Sequence, residues 1–270
     1  MSTPRADHLG QPAGDRAAAL PTDRISERTH DGRTDRAGRA HRAVRAHELV
    51  RHPVHTRVLH WVVAIFFVLS LFSGFAIYSP WLFAWITPLF GGGPMTRLLH
   101  PWFSLGFVIA FALQVMNWYR LMAWTPDDTR WMRDLRGYVT NAEPVEPPYV
   151  GFFNGGQKLY FWTIAVSALL FLVSGLPMWF PVTFGRGAVA VSYVVHDLAA
   201  IVMLGGFFVH IYEGTLAQPG TFHSMTRGTV SRAWAWTHHP RWYRDATGRD
   251  PVADYDAATA RAEARAREDR

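Results

Sequence analysis

Charge is missing from long stretches of this chain, and that absence constrains its fold more than any motif does. No Asp, Glu, Lys or Arg occurs between Arg57 and Arg97, between Arg97 and Arg120, or between Lys158 and Arg186. Between Arg186 and Glu213 the single exception is Asp197. A helix at the surface of a water-soluble domain carries charge on its outer face at helical spacing, and these segments do not. A bilayer core of about 30 Å is crossed by roughly 20 apolar residues in helical form. Four spans meet that requirement, over about 58–80, 100–122, 159–181 and 191–213. The expected fold is an all-α integral membrane protein, a bundle of four transmembrane helices.

Orientation follows from the basic residues. Of 27 Lys and Arg, 25 lie before span one, between spans two and three, or after span four. Only Arg97 and Arg186 fall on the other side, so the positive-inside rule predicts that both termini and the central loop are cytoplasmic. Residues 1–52 are rich in Arg, Asp, Ala and Gly, with no apolar periodicity, and are expected to form a disordered cytoplasmic arm. They contain no apolar stretch of the kind a secretory signal needs. Through residue 57 this segment holds 7 acidic residues beside 11 basic ones, which argues against a nucleic-acid-binding arm. The expected division is an arm over 1–52, a membrane domain over 53–217 and a cytoplasmic tail over 218–270. The connection 81–97 is aromatic (Trp81, Phe83, Trp85, Phe90) and suits the membrane interface, where Trp is enriched. His100-Pro101 reads as the start of span two, with proline in the first helical turn.

The chain contains no Cys. Disulfides, thiolate zinc sites, cysteine-ligated iron–sulfur clusters, c-type haem attachment and a cysteine nucleophile are therefore excluded. Histidine remains, with 13 residues, of which His60, His100, His196 and His210 lie in the spans. The others sit in polar segments and read as solvated. An ionisable side chain inside a bilayer needs a partner and is a functional candidate by default. The plainer alternative is that each histidine hydrogen-bonds a neighbouring helix.

Depth sorts the four. Span one travels outward and carries His60 near its start, whereas span two travels inward from His100. Span four also travels inward, with His196 near the outer face and His210 near the inner one. The result is an inner pair, His60 and His210, and an outer pair, His100 and His196. His196 and His210 are 14 residues apart, about 21 Å along a helix and about 40° from alignment. Two b haems, each held by two imidazoles in the bundle core, would use all four residues. Zinc would require four ligands around one point, which pairs about 21 Å apart cannot supply. A proton relay would call for more intramembrane carboxylates than Asp197 and Glu213. His47-Glu48-Leu49-Val50-Arg51-His52 approaches a zinc-protease motif, but its second histidine is one residue too far.

Small residues accompany the histidines. Gly74, Gly106, Gly175, Gly205 and Gly206 would admit a flat macrocycle or a neighbouring helix equally well. Trp61 precedes Gly74 by 13 residues and Trp162 precedes Gly175 by the same interval, each glycine following a serine. This echo reads either as a duplicated hairpin or as chance.

Several stretches resemble a known family, the cytochrome b (gamma) subunit of respiratory membrane-bound formate dehydrogenase. They are Leu98-Leu99-His100-Pro101-Trp102-Phe103, Asn154-Gly155-Gly156-Gln157-Lys158 with Phe161-Trp162, Val195-His196 and Val209-His210-Ile211-Tyr212. The most distinctive is His238-His239-Pro240-Arg241-Trp242-Tyr243-Arg244. The likeness covers about residues 53–245. It implies two haem b groups, one on His60 and His210 and one on His100 and His196. It also implies a quinone (menaquinone or ubiquinone) beside the inner haem, at Asn154, Gly156 and Gln157. From the residues alone, Asn154 and Gln157 read instead as the cap of span three, since Asn is a favoured N-cap.

The resemblance further implies an iron–sulfur (beta) partner, and through it a molybdenum- or tungsten-pterin alpha subunit that oxidises formate. It places the chain in a bacterial inner membrane, with electrons passing to quinone. The tail motif then suits contact with neighbouring subunits or lipid headgroups. A respiratory hydrogenase or sulfur-compound reductase would use a cytochrome of similar design, and a haem-free anchor or transporter is the reading from another class.

Overall fold

The computed structural model describes residues 48–140 and 146–269. A short strand, β1 (Glu48–Val50), leads into α1 (Val54–Tyr78). A compact apolar helix, α2 (Pro80–Ile86), and a 3-10 turn over Thr87–Phe90 carry the chain to α3 (Gly93–Trp118). The central loop holds α4 (Pro126–Arg133) and α5 (Leu135–Val139). Then come α6 (Gly155–Trp179) and α7 (Pro181–Tyr212), the latter continued by a π turn over Glu213–Ala217. The C-terminal part is α8 (Thr221–Thr226), β2 (Thr229–Ser231), α9 (Arg232–His238), α10 (Pro240–Thr247) and α11 (Pro251–Glu268).

Four of these helices, α1, α3, α6 and α7 with its π turn, are long and apolar enough to cross a membrane. Each starts earlier than the charge-free runs suggest, because Arg57, Arg97, Lys158 and Arg186 are accommodated within the first two turns rather than ending the helix. Pro101 accordingly lies inside α3 and not in its first turn. Its missing N–H leaves the Arg97 carbonyl without the usual partner four residues on. Pro94 takes the first-turn position instead. Within α7 the backbone breaks helical geometry at Gly185, where φ is 78°. A residue with a Cβ is strained there, so the glycine sets off a first turn from the main span.

Backbone packing joins the spans in a chain: α1 along α3, α3 against α6, and α6 along α7. Phe107, Phe111, Met122, Phe161, Ile164, Ala168 and Met203 form the buried centre, with Phe66 and Phe67 against it. Gly106 accepts the Phe66 ring, which would lie 2.6 Å from a Cβ there. Neither α1 nor α3 closes onto α7 in the same way. We call the end where α1 begins and α7 finishes the proximal end, and the opposite one the distal end.

The tail is part of a proximal cap. β1 and β2 pair antiparallel, with Leu49 opposite Val230. Gly228, at φ 84°, turns the chain into β2, and a Cβ there would meet the His52 carbonyl at 2.7 Å. Val230, Trp234, Ala235 and Tyr243 make a second buried cluster. The arm expected over 1–52 lies outside the described residues as far as residue 47. Its last five residues are built into this cap, with Arg51 and His52 buried.

Candidate functional site

The four intramembrane histidines meet in two pairs across the gap between α7 and its non-adjacent neighbours. His60 from α1 faces His210 from α7 with ring centres 6.1 Å apart. His100 from α3 faces His196 from α7 at 6.4 Å. The first pair is proximal and the second distal, as their positions along the spans require. The histidines of each pair are not hydrogen-bonded to one another. The plainer alternative, a hydrogen bond to a neighbouring helix, is met at His100 and His196 through Ser73 and Ser174, and not at His60, whose Nδ1 is buried without a protein partner. With metal–imidazole bonds of about 2.0 Å and about 1.2 Å from nitrogen to ring centre, two rings on one ion lie about 6.4 Å apart. Both separations fit an iron held between two imidazoles, and among the described residues no cluster of three or more His, Asp or Glu suits a metal. Phe67 of α1 touches Phe207 of α7 at 5.0 Å between centres, and Phe107 of α3 at 5.7 Å.

The distal rings are held from behind. Ser73 Oγ lies 3.0 Å from His100 Nδ1, and Ser174 Oγ lies 3.0 Å from His196 Nδ1. Gly74 brings α1 close enough for this, since a Cβ there would sit 3.1 Å from the His100 ring. At the proximal level His60 Nδ1 is buried without a protein partner, and Tyr160 stacks on His210 within 3° of parallel. Gly206 makes space for that tyrosine, whereas Gly175 and Gly205 face open space.

Asn154 and Gln157 form the N-terminal cap of α6. The Gln157 backbone N–H donates to Asn154 Oδ1 at 2.9 Å, and the Asn154 N–H donates to Gln157 Oε1 at 3.1 Å. This capping box satisfies two of the donors a helix start leaves free. Both amide NH2 groups are outside the box. Gly156 packs under Trp131, whose ring would be 2.9 Å from a Cβ. Next along α6, Lys158 reaches Asp128 of α4 at 2.8 Å, both side chains almost fully buried. The same Asp128 oxygen caps α4 by accepting from the N–H and the hydroxyl of Thr125, each at 2.7 Å.

Two further polar groups escaped the sequence reading. The Arg51 guanidinium donates to the Phe152 carbonyl and to His239 Nε2, the latter at 3.2 Å. His239 Nδ1 in turn donates to the Gly151 carbonyl at 2.8 Å. Phe152 and Trp242 cover the guanidinium at 3.9 and 4.4 Å. Burial lowers the Arg51 pKa to about 9 and that of His52 to about 3, with Arg51 adding to the His52 shift. His239 is pushed well below its ordinary value, mainly by burial. The expectation that histidines outside the spans are solvated therefore fails for His52 and His239. The distinctive tail stretch also folds onto its own chain: His239, Pro240 and Tyr243 are buried, and Arg241 pairs with Asp127 at 2.9 Å.

The second group joins α4, α5 and the end of α7. Trp131 Nε1 donates to Glu146 at 2.8 Å. Tyr138 donates to Glu213 at 2.9 Å and accepts from Gln218. Burial lifts the Glu146 pKa to about 7, opposed by hydrogen bonds from Trp131 and Asn154 and assisted by Glu213. Tyr138 is raised as well, first by burial and then by Glu213.

Apolar spans that carry paired imidazoles across a gap define a membrane cytochrome b. Residues 51–228 match the family model of prokaryotic cytochrome b561, and the chain belongs to that family, among the cytochrome b subunits of formate dehydrogenase. It is 32% identical over 198 residues to the formate dehydrogenase cytochrome b556(fdo) subunit of Escherichia coli K12, covering 72% of this chain and 92% of the relative. The nitrate-inducible cytochrome b556(Fdn) subunit of the same strain is 32% identical over 192 residues, 70% and 87% of the two chains. The cytochrome b556 subunit of Haemophilus influenzae is 30% identical over 198 residues, 72% and 82%. Haem b and electron transport come with the family, and the chain is a multi-pass membrane protein.

Proposed function

We propose that this chain is the dihaem cytochrome b subunit of a formate dehydrogenase and passes electrons from an iron–sulfur partner across the membrane to quinone. The observation that carries the reading is the pair of ring separations, 6.1 and 6.4 Å, spanning the open side of α7 at two depths. His60 and His210 would hold one haem b, and His100 and His196 the other. When bound, these groups supply one-electron transfer between the two faces of the membrane.

The basic proximal cap favours a cytoplasmic position for that end and for both termini, in a bacterial inner membrane. The distal site then faces the iron–sulfur subunit, itself joined to the molybdenum- or tungsten-pterin subunit that oxidises formate. The relatives' names support that partnership. The arm over 1–52 and the tail over 218–270 flank the membrane domain 53–217 on the cytoplasmic side.

Quinone, menaquinone or ubiquinone, is taken up beside the proximal pair, near Asn154, Gly156 and Gln157. A quinone needs hydrogen-bond donors and access to water as it gains protons. The Gln157 NH2 group lies outside the capping box and can serve as such a donor, whereas that of Asn154 is turned to Glu146. The test is a reduced-minus-oxidised spectrum of the purified chain, with haem counted per polypeptide as the pyridine haemochrome. Two haem b per chain are expected. One or none overturns the dihaem reading.

A further inference from the structure

The internal echo in the sequence becomes physical in the fold. Trp61 of α1 donates its indole N–H to the Met225 carbonyl at 3.2 Å, and Trp162 of α6 donates to the Met122 carbonyl at 2.9 Å. Both tryptophans thus pin the proximal end of their helix, Trp61 to α8 and Trp162 to the loop after α3. Twelve residues further on, Ser73 and Ser174 each meet the Nδ1 of a histidine on the next span, His100 on α3 and His196 on α7. Each hairpin, α1 with α3 and α6 with α7, therefore contributes one distal histidine, and the preceding helix of the same hairpin holds its ring.

We propose that Ser73 and Ser174 are positioning residues of the distal haem, fixing both of its ligands in one tautomer and setting that haem's potential below the proximal one. Each hydroxyl already donates to a carbonyl of its own helix, Ser73 to Leu69 at 2.7 Å and Ser174 to Leu170 at 2.6 Å. Its proton is committed, so towards the imidazole it acts as an acceptor. Nδ1 must then carry the hydrogen, and Nε2 keeps its lone pair, which is the state an iron ligand requires. Both serines are buried, at 0% and 2% exposure, so water cannot substitute for them.

A hydrogen bond from Nδ1–H makes the imidazole a stronger donor through Nε2 and stabilises the ferric state, which lowers the reduction potential. The proximal pair has no equivalent. His60 Nδ1 is buried without a protein partner, and the aromatic face of Tyr160 covers His210. Two hydrogen bonds at one level and none of this kind at the other make electron passage from the distal to the proximal level downhill. The inference rests on the dihaem reading and adds to it which site is the more reducing, and why.

The experiment is a spectroelectrochemical titration of the membrane-embedded, haem-loaded chain, resolving both haems. The variants are Ser73→Ala, Ser174→Ala, the double variant and Ser70→Ala. Ser70 serves as the control, a hydroxyl on the same helix that bonds only the Phe66 carbonyl, at 2.8 Å. Each single alanine variant is expected to raise the potential of one haem only, and the double variant to raise it further. The second haem and the control stay at their original values. If the double variant retains one haem, the two single variants carry the measurement. Two haems with unchanged potentials in both single variants overturn the proposal and leave the dihaem reading standing. An unsubstituted chain that binds fewer than two haems overturns the dihaem reading itself.

Discussion

The distal and proximal ends of the bundle are held together by different means. At the distal end the polar contacts are few and follow from helical register: a serine on one span, a histidine on the next, a glycine to let them meet. The proximal end is a shell of buried polar and charged groups and caps drawn from distant parts of the chain: Arg51, Asp128, Glu146, Lys158 and His239. A membrane provides the distal end with its apolar surroundings, whereas the proximal end must build its own interior from loops. Polar groups buried in such an interior persist only if each finds a partner.

Cofactor loss is the largest effect by which this comparison can be broken. His60→Ala and His210→Ala should abolish the same haem, and His100→Ala and His196→Ala the other. Redox titration of the four variants checks the grouping. A His60→Ala variant that loses the haem also lost by His196→Ala would show that the ends do not carry separate sites.

The next effect concerns the shell alone. Lys158→Met leaves the buried Asp128 carboxylate without its cation, and breaking one side of a buried ion pair costs about 3–5 kcal/mol. Asp128 also caps α4, so the loss extends into the central loop. Thermal unfolding in detergent should show the drop, with the distal haem's spectrum unchanged before the transition. An unfolding midpoint equal to that of the unsubstituted chain would mean the pair contributes nothing.

The same contrast explains what the sequence reveals. The four spans, the two histidine pairs and their depths can all be read in advance, because hydropathy and helical rise are local properties of consecutive residues. The capping role of Asn154 is legible too, for the same reason. The shell is not. Arg51 meeting His239, or Lys158 meeting Asp128, depends on where loops return, and no periodicity records that. His52 and His239 look solvated because their neighbours in sequence are polar, but their neighbours in space are Trp118, Phe152 and Trp234. The echo of Trp61 and Ser73 by Trp162 and Ser174 lies between these cases. The spacing is visible, but its meaning depends on knowing which histidine each serine faces.

A smaller change separates the two roles open to Gln157. Gln157→Ala removes one half of a capping box, which costs about 1 kcal/mol. If Gln157 also donates to quinone, reoxidation of the reduced haems by added quinol's oxidised form should slow while both haems stay bound. A variant that loses the stability but reoxidises at the original rate would confine Gln157 to the cap.

The smallest effect is a dependence of the shell on pH. Glu146 faces the Trp131 indole on α4, the Asn154 amide at the start of α6, and Tyr138 and Glu213 beyond them. Burial raises its pKa from 4.5 to about 7. Between those two values the folded chain keeps a proton that the unfolded chain has released, so unfolding releases it and is favoured by rising pH. The stabilisation from this group is therefore complete below 4.5, declines as pH rises to about 7, and is flat above. Infrared difference spectra at pH 6 should contain a protonated carboxyl band that vanishes in Glu146→Gln. Amide exchange in α4 should slow from pH 8 to pH 5, after correction for intrinsic rates, in the unsubstituted chain but not in that variant. If the band is absent at pH 6, Glu146 is ionised there, and the shell's interior does not hold a proton on this carboxyl.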